Sequence, residues 1–284
     1  MTLGEALDQG ARALAENGID DARLEAEVLL RHSLALDRVA LYIGLEEKLT
    51  SEQACAFFAL VKRRIGHEPT AYITEHKEFF GLDFHVASPV LIPRPETEML
   101  VEQAIEMGTN FFADSCLIAD VGTGCGAIAI ALAMNLQHAR IYATDISSAA
   151  LEIARNNCHR YGVADRVILL QSDLLDSLPE PVHLIIANLP YVNESELAEL
   201  DTEISIFEPV LALNGGVDGL VFIEGLVSQA ERNLLPGGAI LLEIGYDQGQ
   251  AVCELARMHF PKSEVSVTKD LGGLDRVVSI RTSP

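Results

Sequence analysis

Basic residues are scarce. Lys and Arg number 20 against 42 Asp and Glu, a formal net charge of −22 over 284 residues. That balance argues against a surface-wide, counterion-driven nucleic-acid binder, which needs a basic footprint. Cysteines number only five, Cys55, Cys116, Cys125, Cys158 and Cys253, with no C-x-x-C pair. Odd, scattered cysteines exclude a disulfide framework and suit a reducing, cytoplasmic compartment. The eight histidines form no H-x-x-x-H or His/Cys cluster, so no bound metal is expected. The longest apolar run, 127–134, is far below the roughly 20 residues of a membrane span. The N-terminus lacks the basic and apolar regions of a signal peptide. Apolar material is plentiful: hydrophobic residues make up 49% and charged residues 22%. Disorder is thereby excluded, and the length suits roughly two domains of about 100–200 residues.

The first third reads as a helical bundle. Asp20 or Asp21 is placed to cap a helix carrying Leu24, Val28 and Leu29. Thr50 and Gln53 have capping-box spacing, and Ala54, Phe57, Phe58, Val61 and Ile65 follow at helical period. Lys62, Arg63 and Arg64 suit the negative end of that helix dipole, and Gly66 and Pro69 end it. Over 78–92, Phe80, Leu82, Phe84 and Val86 alternate with smaller or polar residues, which predicts a hairpin.

From about residue 93 strands and helices alternate. Strands are expected at 116–121, 139–144, 166–171, 183–187, 239–243, 264–268 and 276–281. Helices are expected at 96–107, 126–135, 148–161, 220–234 and 248–260. This order predicts an α/β fold with a seven-stranded, mostly parallel, doubly wound sheet. The last connection, at Leu271-Gly272-Gly273, is too short for a crossover, so the final strand should be antiparallel.

Two strand ends carry the chemistry. The first runs Asp120-Val121-Gly122-Thr123-Gly124-Cys125-Gly126 and enters a helix at once. Its glycines allow a sharp turn and close approach of a ligand. The absence of lysine excludes a P-loop. Asp145 ends the next strand, where a carboxylate accepts ribose hydroxyls. Together they point to a nucleoside cofactor. Cys125 is expected as a small loop filler, although a helix N-terminus could also activate a thiol. Asp173 and Leu174, after the third strand, are candidates for the adenine amino group and face; a plain turn is the alternative for Asp173.

The fourth strand runs into Asn188-Leu189-Pro190-Tyr191. The Asn188 side-chain carbonyl and the Leu189 backbone carbonyl can accept both N–H groups of one planar –NH2. Tyr191 offers a flat face for stacking, and Pro190 stiffens the turn. A nicotinamide-dependent oxidoreductase on a related fold would leave this loop without a purpose.

These two loops, with Asp145, resemble those of class I S-adenosylmethionine methyltransferases that modify amino groups. Leu91-Ile92-Pro93-Arg94-Pro95-Glu96-Thr97-Glu98 resembles more narrowly the signature of the HemK/PrmC family. The resemblance continues through Arg64-Ile65-Gly66-His67-Glu68-Pro69, Tyr72-Ile73, Glu208-Pro209, residues 215–220, Glu243-Ile244-Gly245 and Asp275-Arg276-Val277-Val278. It implies methylation of the side-chain N5 of the glutamine in the Gly-Gly-Gln motif of class I peptide-chain release factors. S-adenosylmethionine is the implied cofactor and S-adenosylhomocysteine its product. The implied cofactor contacts are Asp120, Gly122, Thr123, Gly124, Cys125, Gly126, Asp145, Asp173, Leu174 and Asn188. Asn188, Leu189, Pro190 and Tyr191 are the implied catalytic and substrate-gripping residues, and Arg94 and Glu208 further substrate contacts. For Arg94 the alternative is a salt bridge to Glu96 or Glu98; for Glu208 it is a solvated loop acid.

The family usually has Asn-Pro-Pro-Tyr. Leu189 makes the loop similar to that of ribosomal-RNA adenine dimethylases, so an N6-adenine methyltransferase acting on RNA or DNA is the alternative. These readings divide the chain into a helical substrate-recognition domain at 1–76, a hairpin linker at 77–92 and a methyltransferase domain at 93–284. A monomer without direct nucleic-acid or membrane contact is expected.

Overall fold

Residues 1–112 and 115–283 are described by a computed structural model. The chain divides into two compact units, Met1–His76 with Asp201–Phe207, and Lys77–Leu200 with the chain from Glu208 on.

The first unit contains α1 (Leu3–Glu16), α2 (Ala22–Leu34), α3 (Arg38–Ile43), α4 (Ser51–Ile65), α5 (Thr70–Thr74) and the distant α9 (Thr202–Phe207). A capping box starts α4 as the spacing predicts, with Thr50 and Gln53 exchanging side-chain and backbone bonds. The same device, Thr2 with Glu5, starts α1, a helix the apolar pattern alone did not isolate. The buried sides of α1, α2 and α4 meet around Leu7, Leu14, Leu29, Leu30 and Phe57. Each such side chain removed from water contributes about 1.5–3 kcal/mol.

Two expectations for α2 fail. Asp21 stands at its N-cap with φ 49° and makes no side-chain cap bond. Leu24 is exposed, and the inner face runs through Ala26, Leu29 and Leu30. A charged residue on that face disguised it: Glu27 is buried, held by the Arg38 guanidinium at 2.9 Å and the Tyr42 hydroxyl at 2.9 Å. Arg64, placed in the last turn of α4 as the helix dipole favours, is buried. It pairs with Glu25 at 3.1 Å and with Glu203 of α9 at 2.8 Å.

The second unit opens with a two-stranded sheet, β1 (His76–Phe79) and β2 (Leu82–His85). The turn falls at Phe80-Gly81, both with positive φ, so Phe79 rather than Phe80 is buried with Phe84 and Val86. Residues 77–92, expected as a linker, belong to this unit. The hairpin is tied to α8 (Ser148–Arg160) and the residue after it: the Asn157 amide bonds the backbone of His85, and the Tyr161 hydroxyl that of Asp83.

The main sheet comprises β3 (Cys116–Val121), β4 (Ala139–Asp145), β5 (Val167–Gln171), β6 (Val182–Ala187), β7 (Leu234–Glu243), β8 (Glu264–Lys269) and β9 (Asp275–Arg281), in the order β5-β4-β3-β6-β7-β9-β8. The first five strands pair in parallel, while β9 runs antiparallel to both β7 and β8. This is the seven-stranded, mostly parallel sheet of a class I methyltransferase. The remaining helices are α6 (Glu98–Phe111), α7 (Ala127–Asn135), α10 (Val221–Asn233) and α11 (Gly249–His259). In α7 every residue from Ala127 to Ala133 is buried, as its uniformly apolar sequence requires. Strand order reverses at β3, which lies between β4 and β6. A ligand crevice belongs outside the carboxyl ends of strands at such a reversal.

Candidate active site

A cavity opens at that edge, and the loops after β3, β4, β5 and β6 all reach it. The glycine loop forms its floor. Gly122, Gly124 and Gly126 all adopt positive φ. At Gly124 the space a Cβ would enter is open, so the loop leaves room there for a ligand to lie against bare backbone. Gly122 is constrained differently: a Cβ would stand 3.3 Å from Leu189 Cδ2. Thr123 and Cys125 also line the cavity; Gly126 lies behind, at the N-cap of α7. The Cys125 thiol is buried, and burial pushes its pKa up to about 12. It is a filler and no nucleophile.

Asp120 is fully buried and is absent from the cavity wall. One carboxylate oxygen accepts from the Thr123 hydroxyl at 2.6 Å and the Ala129 amide at 3.1 Å; the other has no partner among the described residues. Burial raises its pKa to about 7. Expected as a cofactor contact, Asp120 instead braces the loop from below. Asp145 does line the cavity. Its two oxygens accept from the Gly124 amide and the Ser147 amide, each at 2.9 Å, which aims the remaining lone pairs outward. Burial raises its pKa as well.

Asp173 and Leu174 sit on the wall, Leu174 with φ 50°. Ile146 joins them, half exposed directly after Asp145. Sequence reasoning passed over it, although an apolar residue following a ribose-type acid is positioned to cover a base. A carboxylate for two hydroxyls, apolar side chains for a flat ring and open backbone at Gly124 fit S-adenosylmethionine.

At the end of β6, Asn188, Leu189 and Pro190 line the cavity. The Asn188 amide donates to Thr97 Oγ1 at 3.0 Å, which leaves its carbonyl oxygen available to a ligand. The Leu189 side chain is buried in the core beside Val121 and Ala187, so leucine fills space and its backbone carbonyl stays in the loop. Tyr191, expected as a stacking face, packs on the core and is not part of the wall. Burial and the nearby Glu243 push its phenol up to about 12. Gln248, another residue the sequence did not single out, clamps this loop. Its amide donates to the carbonyls of Tyr191 at 3.0 Å and Gly219 at 3.3 Å.

Arg94 lines the cavity but pairs with neither Glu96 nor Glu98. Its guanidinium bonds Glu208, whose side chain is almost fully buried and also accepts from the Ile92 amide at 3.3 Å. Glu208 is thus no solvated loop acid. It is also absent from the wall, so it acts on the site through Arg94. Arg94→Ala strands a buried carboxylate and should cost about 3 kcal/mol. Urea denaturation checks this, and adding Glu208→Gln should recover part of the loss. Additive effects of the two substitutions would contradict a coupled pair.

Two family models match the chain, the PrmC N-terminal domain over residues 5–74 and the methyltransferase small domain over residues 97–216. The chain is 45% identical over 277 residues to a release factor glutamine methyltransferase of Moorella thermoacetica, covering 97% of each. It is 39% identical over 282 residues to the protein so named from Geobacter sulfurreducens, covering 99% of this chain and 96% of that one. A methyltransferase from Pyrococcus furiosus shares the fold at TM-score 0.52 and 19% identity, over 73% of this chain and 92% of that one.

Proposed function

Since the chain belongs to the release factor glutamine methyltransferase family, we propose that it methylates the Gly-Gly-Gln glutamine of class I peptide-chain release factors at N5. One observation carries the reading: the Asn188 amide nitrogen is tied back to Thr97, which leaves its carbonyl for a ligand in the same cavity that the open backbone of Gly124 lines. A planar primary amide has two N–H groups to donate, and Asn188 and Leu189 offer two carbonyls to receive them.

The glycine loop, Asp145 and the apolar wall would hold S-adenosylmethionine, which when bound would supply an electrophilic sulfonium methyl. The chain's own residues solve the harder problem. An amide nitrogen is a weak nucleophile, because its lone pair is delocalised into the carbonyl. Asn188 and Leu189 hold the substrate –NH2 by both hydrogens and fix the direction of its lone pair. Pro190 stiffens the turn that follows them, and Gln248 secures the turn from behind. Orientation of this kind can lower a barrier by several kcal/mol. Methylation forms one N–C bond in place of the sulfonium S–C bond, whose electron pair returns to sulfur, and the amide nitrogen gives up one proton to water.

Arg94, held by Glu208, faces the same cavity and suits the carbonyls of a substrate loop. The helical unit of residues 1–76 serves release-factor recognition, in keeping with the family model matched there. Among the described residues no helix is long and apolar enough to cross a membrane, and the substrate class acts in the cytoplasm.

Incubation with S-adenosylmethionine and an unmethylated class I release factor, followed by peptide mass spectrometry, tests the reading. The expected result is one added methyl on the Gly-Gly-Gln glutamine. Methylation of ribosomal RNA adenine with the release factor untouched would overturn it, and would make Leu189 the residue to exchange first.

A further inference from the structure

Behind Asn188 lies a side-chain arrangement that the reaction as described does not use. Asn188 follows β6 directly, and Glu243 ends the neighbouring β7. Ala187 pairs with Leu242 in the parallel register, so Asn188 and Glu243 are the next residues on each strand. Thr97 arrives from a different element, the single 3₁₀ turn Pro95–Thr97 that leads into α6. Both Thr97 and Glu243 are buried, at 4% and 2% exposure. Glu243 Oε2 has no hydrogen-bond partner among the described residues. A buried carboxylate with a bare oxygen is costly unless something nearby uses it.

The donors and acceptors run in one direction. Thr97 Oγ1 accepts from Asn188 Nδ2 at 3.0 Å, so the Thr97 proton must point elsewhere. An ionised carboxylate can only accept. Thr97 is one of the groups that stabilise the Glu243 carboxylate, so an ionised Glu243 draws the Thr97 proton toward itself and leaves a Thr97 lone pair for Asn188. The Asn188 amide then cannot rotate by 180°, because its carbonyl would face the Thr97 lone pairs. Its oxygen is left facing the cavity, which is the orientation needed to accept from a substrate –NH2.

We propose that Thr97 and Glu243 are positioning residues that fix the Asn188 side chain with its carbonyl toward the substrate amide. This rests on the reading of Asn188 given above. A flipped Asn188 would present an N–H to the substrate N–H, exchanging an attraction for a repulsion. The surroundings suit a switchable terminus. Glu243 faces Arg276 on β9, Glu96 within the 3₁₀ turn and Tyr191 beyond β6. Burial raises its pKa to about 7, while Thr97, Arg276 and Asn188 hold it down in part. Above that value Glu243 is ionised and the chain has one direction. Below it the carboxyl gains an O–H, can donate to Thr97, and the constraint on Asn188 is lost.

The test compares wild type, Asn188→Ala, Thr97→Val, Thr97→Ser and Glu243→Gln in methyl transfer to a release factor, with calorimetric binding of S-adenosylhomocysteine beside it. Thr97→Val keeps the shape and removes the hydroxyl. It should lower kcat by on the order of 10-fold or more, with S-adenosylhomocysteine affinity unchanged. Thr97→Ser should restore most of the loss, which a purely packing role for the threonine methyl would not allow. In wild type, kcat should fall as pH drops from 8 to 6 through the raised Glu243 value. Glu243→Gln should be slower and lack that step. Wild-type kcat in Thr97→Val, an equal loss in Thr97→Ser, or an unchanged pH step in Glu243→Gln would each overturn the proposal while leaving the function standing. An inactive wild type, or a fully active Asn188→Ala, would instead remove the reading on which the proposal rests.

Discussion

Asn188→Ala should bind S-adenosylhomocysteine with nearly wild-type affinity and yet turn over roughly 10²–10³-fold more slowly, the usual cost of losing one preorganised polar contact to a reacting group. The residues placed to hold a nucleoside, Asp145, Ile146, Asp173 and Leu174, line the cavity from other loops, which the substitution does not touch. Loss of the side-chain carbonyl leaves only the Leu189 backbone carbonyl for the substrate amide. The nitrogen is still bound but no longer aimed. Steady-state kinetics with a release factor, alongside calorimetry with the product nucleoside, separates the two effects. Parallel loss of kcat and nucleoside affinity would show that Asn188 serves the cofactor instead.

Asp145→Ala should give the reverse pattern. Its carboxylate accepts the Gly124 and Ser147 amides, so it holds the glycine loop while facing the cavity. Hydrogen bonds to a charged group contribute about 1.5–3 kcal/mol each. With the loop released, the S-adenosylhomocysteine Kd should rise by about 100-fold or more, which calorimetry measures directly. Asp145→Asn keeps one oxygen and should fall between. An unchanged Kd in Asp145→Ala would take that residue out of the nucleoside site.

The loops of the candidate site were legible because each is a short run of neighbouring residues. The glycine loop, Asp145 and Asn188-Leu189-Pro190-Tyr191 each end an apolar strand, and alternation with helices puts those ends on one edge. The antiparallel last strand followed from the short turn at Leu271-Gly272-Gly273. What stayed hidden is mostly made by register. Asn188 and Glu243 are neighbours because β6 and β7 pair in one particular alignment, and Thr97 reaches Asn188 from a turn about ninety residues away in sequence. Gln248 reaches Tyr191, and Arg94 reaches Glu208, by the same kind of long-range placement. Nothing local in the chain encodes such meetings. A second class of miss came from polar groups on inner faces. Glu27 rotated the apparent face of α2, and Asp120 and Glu208 were taken for ligands of the site although both are buried away from its wall.

The chain passes through the first unit twice, and this orders its birth. A nascent protein emerges from its N-terminus at about 5–20 residues per second. Helices α1 to α5 leave the ribosome first. Arg64 then has Glu25, while Glu203 waits on α9, which emerges only after β1 to β6. The unit begun first is therefore completed late, with much of the central sheet already outside. A protein read as tending the factors that end translation cannot finish its own opening domain until translation has carried it well past the middle of its chain.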